Sequence, residues 1–267
     1  MTPVATRLAV VGGGRMGEAL VGGLLARRWA EPGEVSIVEA RAGRRDELQA
    51  RFPSVTVVEV PPRAEGVVVA VKPGDVGAAC REVAAAGADR VLSIAAGVPL
   101  ATLEAALGPL PVVRAMPNTP ALVGAGAAAI AAGARAGEDD LVWAEEVLGA
   151  VGDVVRVPEA LLDAVTGLSG SGPAYVFLIA EALIDAGVVV GLPHDVSRRL
   201  ALQTLLGAAR LLTETGDDPQ HLRAGVTSPG GTTAAGLRVL EAGRLRSVLV
   251  EAVAAATERS RELGRGA

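Results

Sequence analysis

The chain has 267 residues, half of them hydrophobic but only 2% aromatic, and 25 basic residues face 30 acidic ones for a net charge of −5. This length suits one large or two modest domains with a core of Ala, Val and Leu, and the mild, evenly spread charge gives no footing for nucleic acid. Cys80 is the only cysteine, so an intrachain disulfide is excluded and a reducing, cytoplasmic setting is expected.

The first six residues lack the charged and apolar regions of a signal peptide. No uninterrupted apolar run reaches the length of a membrane span, since the helical pattern at 174–187 carries Glu181 and Asp185. A soluble protein without membrane contact is the expectation.

In chain order, residues 8–11 predict a buried strand, 12–17 a glycine turn and 16–28 a helix. Gly12, Gly14 and Gly17 stand in the G-x-G-x-x-G spacing that seats a dinucleotide pyrophosphate against a helix N-terminus. The first glycine permits the tight turn, the second lets the backbone approach the phosphates, and the third lets the helix sit close on the strand. Free N–H groups and the helix dipole then favour the anion. Arg15 and Met16 open that helix and count among the candidate cofactor contacts.

Further strands are predicted at 35–39, 67–71, 91–95 and 112–115, with weaker candidates at 55–58, 127–131 and 154–157. Helical patterns fall between several of them, at 44–51, 76–86 and 100–107. This alternation predicts an α/β fold with a doubly wound, mostly parallel sheet of the Rossmann type, covered by helices on both faces.

Glu39 closes the second strand, 22 residues beyond Gly17, where an acid commonly binds the ribose hydroxyls and favours NAD. Arg41, Arg44 and Arg45 follow at once and can hold a 2′-phosphate, which favours NADP. Arg44 and Arg45 read equally well as a solvated helix start. The balance tips slightly to NADP(H), with NAD(H) kept open. Ala70, Val71, Lys72 and Pro73 end a strand on the ligand-binding edge of such a sheet, with Pro73 stopping the pairing. Ala95, Ala96 and Gly97 end a later strand on the same edge. Asn118, held between Pro117 and Pro120, can face the nicotinamide or serve a purely structural turn.

From about residue 161 the pattern becomes all-helical, which divides the chain into a cofactor domain at 1–162 and a helical domain at 163–267. Residues 174–187 are apolar on nearly every face, so that helix needs burial, often by a second subunit. More helices are predicted at 194–212, 233–242 and 244–263. Before the second of these lies a loop containing Val226, Ser228, Pro229, Gly230, Gly231, Thr232 and Thr233. Its Pro-Gly-Gly makes a turn, Thr232 or Thr233 can cap the next helix, and converging N–H groups suit a small carboxylate. Residues 169–175 repeat that chemistry ahead of the apolar helix. His194 and His221 have no partners at ligand spacing, so no metal site is predicted.

Taken together, the strings at 12–17, 70–73, 93–98, 114–120, 169–175 and 228–233 closely resemble pyrroline-5-carboxylate reductase over nearly the whole chain. The Ser-Pro-Gly-Gly-x-Thr loop at 228–233 is the most specific of them. The resemblance implies reduction of the cyclic imine 1-pyrroline-5-carboxylate to L-proline by NAD(P)H, the last step of proline biosynthesis. It implies that the amides of Gly230, Gly231 and Thr232 hold the substrate carboxylate, and that the Thr233 hydroxyl donates the proton to the imine nitrogen. It also implies an interlocked homodimer, with larger rings of dimers in relatives. Glu39 departs from the polar or hydroxyl residue common at that strand end in NADP-preferring members.

Two other readings compete. Hydroxyacid dehydrogenases of similar layout use a lysine from the helical half, but this chain has no lysine after Lys72. A non-catalytic NAD(P) sensor need not keep Gly230, Gly231 and Thr233.

Overall fold

The protein is described here from a computed structural model over residues 6–265. Residues 1–5, most of the segment read for a targeting signal, lie outside the described residues.

Eight strands form one sheet: β1 (Thr6–Val11), β2 (Val35–Val38), β3 (Thr56–Val58), β4 (Ala64–Val69), β5 (Arg90–Ser93), β6 (Val112–Met116), β7 (Gly126–Ala132) and β8 (Gly152–Arg156). Their spatial order is β3-β2-β1-β4-β5-β6-β7-β8. The first six strands are parallel, β7 runs antiparallel to β6, and β8 follows β7 in parallel. The winding reverses between β1 and β4, and an open sheet of this order binds ligands at that switch point, beyond the carboxyl ends of the strands.

The period of two along each strand separates two cores. Leu8 and Val10 of β1 face one, with Leu20 and Leu24 of α1 (Arg15–Ala26), Leu48 of α2 (Ala42–Arg51) and Trp143 and Val147 of α5 (Glu138–Gly149). Ala9 and Val11 face the other, with Cys80 and Val83 of α3 (Val76–Ala86) and Leu103 and Leu107 of α4 (Leu100–Leu107). Each fully buried Leu or Val side chain contributes about 2 kcal/mol. Burial also pushes the Cys80 thiol up to about 11, although Arg81 opposes the shift.

Several ends differ from the sequence expectation. β4 stops at Val69 rather than 71 and β5 at Ser93 rather than 95, because β1 has already left the ladder at its Val11–Val69 pair. Pro73 therefore does not end the strand; it opens a 3₁₀ turn, Pro73–Asp75, that leads into α3. Helix α5 is absent from the sequence reading.

The chain forms two compact units. The first runs to Ser171 and takes in the chain again from Ala254, while the second is Gly172–Val253. These compact units do not coincide with the expected division at 162/163. Leu162, on the short helix α6 (Leu162–Val165), is 1% exposed and belongs to the core of the sheet. A single π-helical turn follows, Thr166–Gly170, closed by the Ser171 N–H on the Thr166 carbonyl at 2.8 Å.

The second unit contains α7 (Gly172–Val189), α8 (His194–Thr215), α9 (Pro219–Gly225), α10 (Thr232–Ala242) and the first part of α11 (Leu245–Arg265). Helices α7 and α8 pack closely at Gly187, where an added methyl group would lie 2.1 Å from Ser197 Oγ. That hydroxyl donates to the Ile184 carbonyl at 2.7 Å.

Only Ala180 of α7 is buried, and Phe177 and Leu178 are 61% and 66% exposed. The helical run Glu159–Val189, which contains an 18-residue window with a mean hydropathy of 1.6, is long and apolar enough by length and composition to cross a membrane. The sequence reading, which took 174–187 alone, gives a shorter stretch. This apolar face needs a cover that the single chain does not supply.

Candidate active site

The glycine turn is built by close approach. At Gly12, φ is +112° and an added methyl group would lie 2.5 Å from the Ala70 carbonyl oxygen, so only glycine joins β1 to the turn beside β4. At Gly17 a methyl group would lie 2.1 Å from the Gly12 carbonyl oxygen, and its absence lets α1 rest on the end of β1. Gly14 is different, since nothing lies within 4 Å of where its methyl group would be. That open space lies at the N-cap of α1, where first-turn N–H groups lack carbonyl partners. It fits a pyrophosphate oxygen held by backbone amides.

Gly13 is the contact that the sequence reading misses. A methyl group there would meet Leu48 Cδ1 at 2.3 Å and Glu39 Oε2 at 3.2 Å. The run of three glycines is its signal: the middle one yields to α2 and the end of β2.

A groove of about 520 Å³ runs over the carboxyl ends of β1, β2 and β4. Gly12, Gly14, Glu39, Arg41, Ala70, Val71 and Lys72 line it, so the sequence candidates from three separate strings share one surface. Arg15 is exposed and lines a different groove with Glu18 and Arg51, whereas Met16 packs partly against the core. Ala95, Ala96 and Gly97 follow β5 on the same sheet edge, and Gly97 takes φ +74°.

Glu39 is 8% exposed. Burial raises its carboxyl, but bonds from the Arg41 side chain and backbone and from the Gly13 N–H outweigh it and hold the group below its ordinary value. Arg41 donates to Glu39 Oε1 through its backbone N at 3.0 Å and its Nε at 3.1 Å. Each guanidinium nitrogen of Arg44 has a partner: Nε donates to the Gly13 carbonyl at 2.9 Å, and the other two nitrogens pair with Glu47 and Glu18. Arg45 donates to the Glu39 and Ala40 carbonyls and pairs with Glu59.

Asn118 bridges two segments of the first unit. Its amide nitrogen donates to the Ser169 carbonyl at 3.0 Å, and its oxygen accepts from the Ala127 N–H at 2.8 Å. The next α-helical donor for Ser169 is residue 173, a proline with no N–H, so Asn118 supplies the missing bond. The structural role of Asn118 is thus occupied, with one amide hydrogen left for a ligand.

In the second unit, the loop before α10 turns on Gly230, at φ +69°. Gly231 is the N-cap of α10; its N–H closes onto the Ser228 carbonyl at 3.0 Å, and a methyl group there would meet Ser228 Oγ at 2.4 Å. The expected threonine cap is therefore replaced by glycine. Thr232 and Thr233 are the first two helical residues, exposed, with N–H groups that have no partner in the helix. Val226 and Ser228 flank them on the same loop.

A family model described as pyrroline-5-carboxylate reductase dimerisation matches residues 159–263, which takes in the apolar helical run. A second, described as NADP oxidoreductase coenzyme F420-dependent, matches residues 7–97. A pyrroline-5-carboxylate reductase of Synechocystis is 46% identical over 98% of this chain and 100% of its own length. The chain belongs to the pyrroline-5-carboxylate reductase family. A relative of that name from Arabidopsis thaliana is 42% identical over 96% of this chain and 95% of its own. Among solved structures, the reductase of Coxiella burnetii is 37% identical, with a TM-score of 0.91, covering 97% of this chain and 98% of that one. The Plasmodium falciparum reductase, solved with NADP bound, is 28% identical with a TM-score of 0.83, covering 98% of this chain and 99% of its own. Membership makes the chain an NAD(P)-dependent oxidoreductase with a dimerisation domain.

Proposed function

We propose that this chain reduces the C=N bond of 1-pyrroline-5-carboxylate to give L-proline, the last step of proline biosynthesis. The near-full-length identity to reductases of that name carries this reading. When bound, the reduced nicotinamide would supply a hydride to the imine carbon of the ring, C2 of 1-pyrroline-5-carboxylate.

The residues of the chain do the positioning. Gly12, Gly14 and Gly17 bring backbone N–H groups to the pyrophosphate, and Ala70, Val71, Lys72 and Pro73 border the dinucleotide on the β4 side, with Ala95, Ala96, Gly97 and Asn118 farther along the sheet edge. The amides at 230–232 take the substrate carboxylate, with the Gly231 N–H shared with its own turn. The Thr233 hydroxyl would donate the proton that the ring nitrogen gains, and a proton from solvent would restore it. Protonation at nitrogen makes the imine carbon electrophilic, so alignment and a donor at nitrogen supply much of the rate.

The homodimer covers the apolar face of α7, and rings of such dimers are part of this proposal. A cytoplasmic setting suits a chain with one deeply buried thiol. The test is oxidation of NADH or NADPH with and without 1-pyrroline-5-carboxylate. Substrate-dependent turnover with proline as product is expected; no turnover with either cofactor would overturn the proposal.

A further inference from the structure

The three arginines after β2 differ in what they can still bind. All three guanidinium nitrogens of Arg44 are engaged, by Gly13, Glu47 and Glu18. Both terminal nitrogens of Arg45 are engaged, by the Glu39 and Ala40 carbonyls and by Glu59. Arg41 alone stands exposed, at 73%, and its carboxylate partner is Glu39. The walls of the groove carry Glu39, Glu59, Asp75 and Glu82 against Arg41 and Lys72.

A 2′-phosphate brought to the end of β2 would meet the Glu39 carboxylate at short range. Drawing the Arg41 Nε to that phosphate would strip a buried carboxylate of its cation, and a phosphate held by the other Arg41 nitrogens would still lie beside Glu39, which is costly. Ribose hydroxyls face no such conflict. A carboxylate has about four acceptor positions. The Arg41 N–H and the Arg41 Nε take two of them, both on Oε1. Resting on the cofactor reading above, we infer that Glu39 selects the unphosphorylated ribose, so that the chain binds NADH more tightly than NADPH. Arg44 and Arg45 anchor the glycine turn and the strand end rather than reading a phosphate.

The test is a fluorescence titration of the full chain with NADH and with NADPH, followed by displacement of NADH by 5′-AMP and by 2′,5′-ADP. NADH and 5′-AMP are expected to bind about tenfold more tightly than their phosphorylated counterparts. Glu39→Gln narrows or reverses that ratio, whereas Arg45→Ala leaves it unchanged. Tighter binding of NADPH by the native chain, or a loss confined to NADPH in Arg45→Ala, would overturn the inference while leaving the proposed function standing. Binding of neither dinucleotide would overturn both.

Discussion

Ser260 Oγ donates to Asp163 Oδ1 at 2.7 Å, tying the end of α11 to the short helix α6 across 97 residues of sequence. Ser260 is buried, so the bond is shielded from competing water. A hydrogen bond to a charged acceptor contributes about 1.5–3 kcal/mol. Ser260→Ala should lower the stability of the folded chain by that order, read as a lower urea midpoint with an unchanged slope. Equal midpoints would show that the tie adds nothing over solvent.

Glycine substitutions in the turn should separate fold from binding. Gly17→Ala drives a methyl group into the Gly12 backbone, where overpacking costs about 1–3 kcal/mol or more. Gly14→Ala meets nothing within 4 Å. It should leave the melting temperature near that of the native chain while weakening dinucleotide affinity. Equal affinities for Gly14→Ala and the native chain would remove the phosphate from that position.

Acid should weaken the end of β2. The folded state holds Glu39 below its ordinary value of 4.5, so the unfolded chain takes up the proton first as pH falls. The stabilisation is present above about that ordinary value and is lost as pH drops through the lower, folded one. Glu39→Gln should flatten the acid limb of a stability–pH curve; an unchanged limb would place the loss elsewhere.

Thr233 is exposed at the second position of α10, so its loss should not disturb folding. Thr233→Ala is expected to lower kcat about a hundredfold, the scale of a lost proton donor, with cofactor affinity preserved. Unchanged kcat would remove the hydroxyl from the chemistry.

Charge on the open face of α7 should dissociate the dimer. In a two-fold interface each substitution is felt twice, and a charge buried there without a partner is costly. Phe177→Asp should sediment as a monomer at concentrations where the native chain is dimeric.

The turn at 12–17 could be read from sequence because its constraints are local: three glycines, a strand behind and a helix ahead. Helix α5 escapes that reading, although Trp143, Ala144, Val147 and Leu148 already mark its buried stripe. Strand ends at Val69 and Ser93 depend on where the neighbouring strand leaves the ladder, which apolar Ala and Val beyond them conceal. The arginines at 41, 44 and 45 look alike in the chain, and only the positions of Gly13, Glu18 and Glu59 distinguish them. The return of α11 to the first unit has no local mark at all, because Ser260 and Asp163 are ordinary surface residue types.

The one sulfhydryl, Cys80, sits on the sheet-facing side of α3, fully buried and reluctant to ionise. To maleimides and disulfide reagents the native fold therefore behaves as a cysteine-free protein. A cysteine engineered onto any exposed loop would become the sole reactive handle, so site-specific dyes or spin labels can be attached without first removing the natural thiol.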